Sequence, residues 1–436
     1  MRIAFFVVQY PLWCSPSLLN AAHALAERGY AVDIFTDSDL PPHFVHGGHL
    51  PIRVYAAGRR SRDAAARPAS LTPNSLPRRL ALRLSRAVPR AASLARDLWK
   101  VLFRELPRTA RCALHAWSAT RSLGAYQCFV GAEVYGLAAA TLAGRLRGVP
   151  TAYWSLELYP WRESRGLRPR AKKWLEYLCH RGASLTIVQD EARADFLAVD
   201  NGVARSSVVV VPAAPRGEAT RGRGDFLRER LGIPASKKIL LHAGTIDVWS
   251  CAAALAEAAQ AWPDDWVLVL HGFGPREYVE EVRGECRVPG RVYISLDPVP
   301  YDQLDELIGS ADVGLALYED LGLNHKLLGG ASGKLSHYLK CGVPVIASGH
   351  PSLREVIEAS GCGMCVESAA GVAAAARAIF DDYGRHRSNA FRCYEERLNF
   401  DNFFGEAARR IDSLRTDRGG AGRLPVATGA EVFEKK

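Results

Sequence analysis

The sequence predicts an α/β protein built as two doubly wound parallel-sheet domains facing a cleft. Three observations carry that expectation. Short, continuously apolar runs recur along the chain, as strands buried on both faces should read, and helix-period segments separate them. Turns of glycine or proline stand where several of those runs end, and that edge is where open parallel sheets bind ligands. A chain of 436 residues with 48% hydrophobic content also suffices for two cores of roughly 200 residues each.

Residues 1–212 are expected to form the first domain. Ile3 to Gln9 reads as its first strand, Leu18 to Arg28 as a helix stopped by Gly29, and Ala31 to Phe35 as the second strand. A nicotinamide enzyme would want GxGxxG at the first turn; the turn here, YPLWCSPS, has no glycine, which argues against that class. Asp37-Ser38-Asp39 is either a metal-holding carboxylate pair at a strand end or an ordinary turn, since aspartates form turns after strands. The rhythm resumes at Cys128 to Gly131, followed by the helix Val134 to Leu146 and the strand Val149 to Trp154. Just beyond that strand Glu157 is a cleft candidate; a carboxylate paired with Arg162 or Arg165 is the alternative. Leu185 to Gln189 and Val208 to Val211 supply two more strands, ended by Pro212.

Within this domain the composition shifts sharply. From Arg59 to Arg121 fifteen Lys or Arg stand against three acids, Asp63, Asp97 and Glu105, while the whole chain carries a net +10, so the remainder is slightly acidic. Leu80, Leu84 and Val88 repeat at helical spacing, and Ala91, Ala95, Leu98 and Leu102 continue the stripe, with Trp99 and Phe103 beside it. Pro77, Pro89 and Pro107 are expected to divide the stretch into short helices. A basic amphipathic insertion with aromatics, at about 59–122, suits an anionic membrane surface. The alternative is a solvated arginine face over a helix that covers the core. Nucleic acid is disfavoured, because no recognised binding module surrounds the segment.

Ala213 to Lys237, rich in Arg, Gly, Pro and Ala, reads as the connection to a second domain spanning 213–400, and carries one short helix, Phe226 to Leu231. Strands are expected at Ile239 to Ala243, Trp266 to Leu270, Val292 to Leu296 and Val313 to Leu317, with helices at Ala252 to Ala261 and Gln303 to Ile308. The stretch Gly329 to Ser348 then reads GGASGKLSHYLKCGVPVIAS. Small residues run straight into the helical pattern Leu335, Tyr338, Leu339, which leaves backbone N–H groups open at a helix start where the dipole favours an anion. Lys334 in the first turn adds a positive charge. An ordinary helix start with Lys334 solvated is the competing reading. Cys341-Gly342 stops the helix and Val343 to Ala347 reads as a buried strand. Further helices are expected at Gly371 to Asp382, around Tyr394 to Leu398 and from Phe403 to Leu414; residues 401–415 should return to the first domain, and the tail 416–436 should be disordered.

The order of turns GT (244–245), GFGP (272–275) and SGKLSHYLKCGVPVIASGHPSLREVIEASGCG (332–363) resembles the C-terminal domain of the family-4 group of GT-B glycosyltransferases. The resemblance covers about Ile239 to Val366, and the first half is similar only in rhythm. It implies two Rossmann-like domains, a nucleotide-sugar donor on the second and the acceptor on the first, and transfer with retention of anomeric configuration and no bound metal. Carried over by position, Gly272, Phe273 and Gly274 would pass near the nucleoside, Val299 and Pro300 would flank the base, and Ser332, Gly333 and Lys334 would face the diphosphate; Gly244 and Thr245 are also expected among the donor-binding residues. The family's paired glutamates fall at Gly329 and His337, and its Arg and Lys after the first strand of this domain are replaced by Ile246, Asp247, Val248 and Trp249. His337 either takes the ribose contact or is a packed helix residue.

These readings converge on a glycosyltransferase with Lys334 and Glu157 as catalytic candidates, no metal, and no cofactor beyond the nucleotide-sugar co-substrate. The expected acceptor is a lipid-linked or cell-surface polysaccharide precursor. The alternatives are a soluble small-molecule acceptor and a catalytically silent nucleotide-sugar-binding subunit. No run approaches the ~18 apolar residues of a membrane span, and the N-terminus enters a strand without a cleavage site, so a cytoplasmic location, peripheral on the inner face of the membrane, is expected. The ten cysteines lie in apolar or helical contexts that suit reduced thiols, and the single CxxC, Cys362 to Cys365, has no second pair.

Overall fold

The structure, a computed structural model, describes residues 1–12, 15–37, 51–56 and 96–414. Most of the basic insertion, Ser38 and Asp39, and the tail beyond 414 lie outside the described residues. The first domain holds seven strands: β1 Arg2–Val7, β2 Ala31–Thr36, β3 Ile52–Ala56, β4 Tyr126–Ala132, β5 Thr151–Trp154, β6 Leu185–Val188 and β7 Val208–Val210. They pair in the order β3-β2-β1-β4-β5-β6-β7, every pair parallel. The second domain holds β8 Lys238–Thr245, β9 Trp266–Phe273, β10 Val292–Ser295, β11 Val313–Ala316, β12 Val345–Ser348 and β13 Gly363–Val366, in the order β10-β9-β8-β11-β12-β13, again all parallel. In both sheets the winding direction reverses beside the first strand, between β1 and β4 and between β8 and β11. The loops leaving those strands at their carboxyl ends therefore diverge and open a crevice.

Burial on both faces explains the continuous apolar runs. Ile3, Phe5 and Val7 of β1 pack toward helix Pro16–Glu27, while Ala4, Phe6 and Val8 pack toward helices Leu106–Ser122 and Glu133–Arg147. The chain's last described helix, Phe400–Ser413, crosses back to the first domain and completes the former core with Phe400, Phe404, Ala407, Ala408 and Ile411. Its C-terminal carbonyls, Ile411, Asp412 and Leu414, all accept from the amide of Gln127.

Several elements depart from the sequence reading. Strand β3 and the helices Leu167–His180, Glu191–Asn201, Arg276–Gly284 and Pro351–Ser360 were not anticipated, because charged residues dilute their apolar periodicity. Pro107 does not divide its helix: a π-turn over Val101–Glu105 leads directly into Leu106–Ser122, with the Leu106 N–H bonded to the Val101 carbonyl. The wider turn makes room just where the proline ring would collide with the preceding turn. Tyr394–Leu398 is likewise a π-turn continuing helix Tyr383–Cys393 rather than a separate helix.

Candidate active site

The carboxyl ends of both sheets bound one cavity of about 1320 Å³. Its second-domain wall begins with a glycine contact. Gly272 has φ +147°, and a Cβ there would sit 1.8 Å from the Gly244 carbonyl oxygen; a Cβ on Gly274 would sit 1.8 Å from that of Ile246. Two bare backbones thus let the end of β9 lie directly against the end of β8, tied by the Ile246 N–H to the Phe273 carbonyl at 2.7 Å. Gly244, Thr245, Gly272 and Phe273 line the cavity, as does Val299, but Gly274 and Pro300 do not. Gly274 is there for the close strand approach, and Pro300 precedes the short turn Tyr301–Gln303.

Ser332 caps helix Gly333–Lys340, accepting from the Leu335 N–H at 3.2 Å, and its hydroxyl is bonded to that of Tyr318 at 2.5 Å. Among the described residues no acceptor meets the N–H groups of Gly333 and Lys334, and both residues line the cavity together with Ser332. Lys334 is not solvated. Its stem is partly open to the cavity, but Nζ is buried without a hydrogen-bond partner. It rests 4.9 Å from the ring centre of Tyr318 and 5.8 Å from that of Trp249, two rings stacked 1° from parallel. Burial lowers its pKa to about 7, with Cys251 only partly offsetting that. A desolvated ammonium over aromatic faces, beside unused helix N–H groups, has the chemistry to bind an anion.

His337, one turn on, lines the cavity with its ring fixed: Nε2 meets Asp305 Oδ1 at 2.6 Å. Asp305 also accepts from Lys340 and Thr220, each at 2.7 Å; these bonds outweigh the opposing burial and hold its carboxyl well below the usual range. Asp305, His337 and Cys341 form the one metal-competent cluster among the described residues, but the Lys340 ammonium already neutralises Asp305, and burial pushes the Cys341 thiol up to about 12. The Asp37-Ser38-Asp39 alternative is also committed in part: Asp37 accepts from the Gln9 N–H at 2.7 Å and pairs with Arg108 at 2.8 Å.

Glu157 lines the opposite wall. It forms no ion pair with Arg162 or Arg165 among the described residues; the cations that act on it are Arg193 and, more weakly, Lys172. Burial pushes its carboxyl up to about 7 against the pull of Arg193, with the neighbouring Glu133 adding to the rise. Glu133, at φ +59° past the end of β4, accepts the N–H groups of Leu156 and Glu157 at 2.8 and 2.9 Å and so fixes the loop that carries the candidate.

Arg193 itself went unnoticed in the sequence, where nothing separates it from the other arginines. Fully buried, it donates to the Leu156 carbonyl and Gln189 Oε1 in the first domain and to the Leu327 and Asn324 carbonyls in the second. Asn324 in turn exchanges two bonds with the backbone of Leu158, at 2.7 and 2.9 Å. These contacts hold the two walls at one separation.

Two Rossmann-like domains of parallel strands around a cleft define the GT-B fold. Comparison with known proteins agrees. Residues 237–382 match the family model described as glycosyl transferases group 1. No curated protein matches the sequence. Among solved structures, Anabaena Alr3699/HepE, determined in complex with UDP and glucose, is similar with a TM-score of 0.65 at 15% identity, covering 95% of this chain and 100% of that one. WaaG, a glycosyltransferase involved in lipopolysaccharide biosynthesis, gives 0.61 at 14% identity over 95% and 100%. Sucrose-phosphate synthase from Thermosynechococcus elongatus gives 0.61 at 16% over 94% and 99%. At these identities the likeness is one of fold.

The glycine contact yields a direct expectation. Gly272→Ala must drive β9 away from β8 and should cost about 2–3 kcal/mol in urea unfolding; an unchanged midpoint would show that the strand ends are free to separate.

Proposed function

We propose that the protein is a nucleotide-sugar-dependent glycosyltransferase, acting with retention and without a metal ion, on a glycan or lipid-linked acceptor. The observation that carries this reading is the Lys334 ammonium, buried and unpartnered at an open helix N-terminus in a two-domain cleft. HepE was determined with UDP-glucose, which supports a donor of that class. As the bond between the anomeric carbon and the diphosphate breaks, its electron pair moves onto the leaving oxygen; a fixed ammonium and aligned N–H groups stabilise that charge without having to reorganise. Retention is what the family-4 resemblance implies. Glu157, facing from the acceptor side with a carboxyl that titrates near neutrality, orients the attacking hydroxyl and can take its proton.

A silent nucleotide-sugar-binding subunit is the second reading, and Gly329 favours it. A Cβ there would sit 2.7 Å from the Ser352 carbonyl, so no side chain can replace the family's first glutamate, and the second position, His337, is held by Asp305. Saturable binding of UDP-glucose with no sugar release, across UDP-, GDP- and dTDP-sugars, would establish that reading instead.

Lys334→Ala should lower turnover on the order of 10²-fold while the protein stays folded, and chelators should leave wild-type turnover unchanged. The lysine also sets a pH dependence. A bound diphosphate favours the ammonium, so above about pH 7, the free-site pKa, binding takes up a proton. Affinity for UDP-glucose in calorimetry should then be flat below that pH and fall by up to about tenfold per unit above it. A flat profile, or a variant with normal turnover, would remove Lys334 from the site. Glu157→Gln should lose transfer to acceptor while donor binding stays within about twofold of wild type; equal loss of both would place Glu157 on the donor side.

A further inference from the structure

One feature of the first domain is absorbed by none of this chemistry. Helices Leu106–Ser122, Glu133–Arg147 and Leu167–His180 lie side by side on the sheet face opposite the C-terminal helix, because the connections β3 to β4, β4 to β5 and β5 to β6 all step the same way across the sheet. A soluble cover of this kind should present polar side chains outward. Instead, of the eighteen large apolar side chains exposed among the described residues, ten stand on these helices and the helical residues 96–105 that lead into them, and four more belong to the cleft. Phe103 is 68% exposed, Leu178 61%, Trp174 53% and Trp99 49%; Trp99 and Phe103 stack at 6.4 Å.

The charge of the same face is one-sided. Residues 96–122, 133–147 and 167–181 contain thirteen Lys or Arg and four acids, and three of those acids, Glu105, Glu133 and Glu176, are buried. Lys173 is buried with Glu176, and Arg108 and Arg168 pair with Asp37 and Glu105. Of the acids on these segments only Asp97 stays near the surface to oppose the cations that are left. Lys100, Arg104, Arg145 and Arg170 take part in no ion pair among the described residues. Exposed acids elsewhere behave differently: Glu191 and Asp195, on the next helix along the same sheet, are matched by Arg205. Aromatic and leucine side chains interleaved with unmatched cations suit a phosphate-bearing, apolar-cored surface, where rings and aliphatic side chains enter the headgroup boundary and the cations stay at phosphate level.

The face also has the right relation to the cleft. The amide of Gln9, just past the carboxyl end of β1, donates to the Glu105 carbonyl at 3.0 Å, which sets the turn Val101–Glu105 at the cleft edge of the sheet; Tyr10, the next residue, lines the cavity. Phe103 and Trp99 precede Glu105 by two and six residues on this segment, so the exposed rings lie on the stretch of chain that Gln9 ties to the cleft edge. We propose that this three-helix face docks on an anionic phospholipid bilayer and so brings a surface-borne acceptor to the cavity mouth. The docking stands independently of the transfer chemistry, so either can fail without the other.

Vesicles of equimolar phosphatidylglycerol and phosphatidylcholine, and of phosphatidylcholine alone, provide the test by co-sedimentation at low salt. Wild type should pellet with the mixed vesicles and much less with the neutral ones, and salt should release it. Replacing Lys100, Arg104 and Arg111 with Gln should weaken partitioning on the order of 100-fold, since each basic group is worth about fivefold near such a surface. Trp99→Ser with Phe103→Ser, and separately Trp174→Ser with Leu178→Ser, should each weaken it as well, while UDP-glucose binding measured by calorimetry stays as in wild type. Wild type left in the supernatant with mixed vesicles overturns the proposal. So do variants that pellet undiminished, and so does a dimer by light scattering that the aromatic substitutions dissolve, which would give the face to a second copy.

Discussion

The hydroxyl of Tyr338 is the contact on which the cleft's geometry depends. At their carboxyl ends β8 and β11 part after two paired positions, Val313 with Leu240 and Gly314 with Leu241. The Tyr338 hydroxyl enters the gap, donating to the Leu241 carbonyl at 2.8 Å and accepting the Ala243 N–H at 2.7 Å. Its ring lies on Gly314, where a Cβ would come within 2.5 Å of it. A fully buried phenol thus stands in for missing ladder bonds and fixes the rotation of helix Gly333–Lys340 against the sheet. Four residues earlier on the same helical face, Lys334 is thereby aimed along the strand ends toward Gly244.

From that helix the electrostatics of the cleft divide by wall. On one side the N–H groups of Gly333 and Lys334 and the Lys334 ammonium meet no acceptor among the described residues, and the nearby carboxylate of Asp305 is used up by His337, Lys340 and Thr220. On the other side Glu157 keeps a carboxyl without a direct ion pair among the described residues, acted on by Arg193 and Lys172. Arg193 and Asn324 link the walls through backbone carbonyls and amides rather than through charge pairs.

The fold was largely legible because buried parallel strands write themselves as uninterrupted apolar runs; Ile239 to Ala243 and Trp266 to Leu270 fall wholly inside β8 and β9, and Phe226 to Leu231 is a helix to the residue. The helix start at Ser332 was legible for the same local reason, a cap and glycines before an apolar stripe. What local pattern could not show is tertiary. The rings that hold Lys334 come from Trp249 and Tyr318, two distant loops, and the burial that lowers its pKa follows from them. Gly330 looked like part of an anion loop, yet a Cβ there would meet the Gln189 carbonyl at 2.1 Å, so its smallness serves the domain interface. Gly274 and Pro300 matched a motif by position but face away from the cavity. Arg193 carries no local signal, since its partners are backbone carbonyls far apart in sequence.

The central claim is that the first turn of helix Gly333–Lys340 receives the diphosphate of the donor. A crystal structure with bound UDP tests it most directly. The account predicts phosphate oxygens within hydrogen-bond distance, about 3 Å, of the Gly333 and Lys334 N–H groups, with Lys334 Nζ lifted from the rings of Tyr318 and Trp249 onto the phosphate. A diphosphate bound elsewhere in the cleft, with Lys334 still packed over those rings, would contradict it.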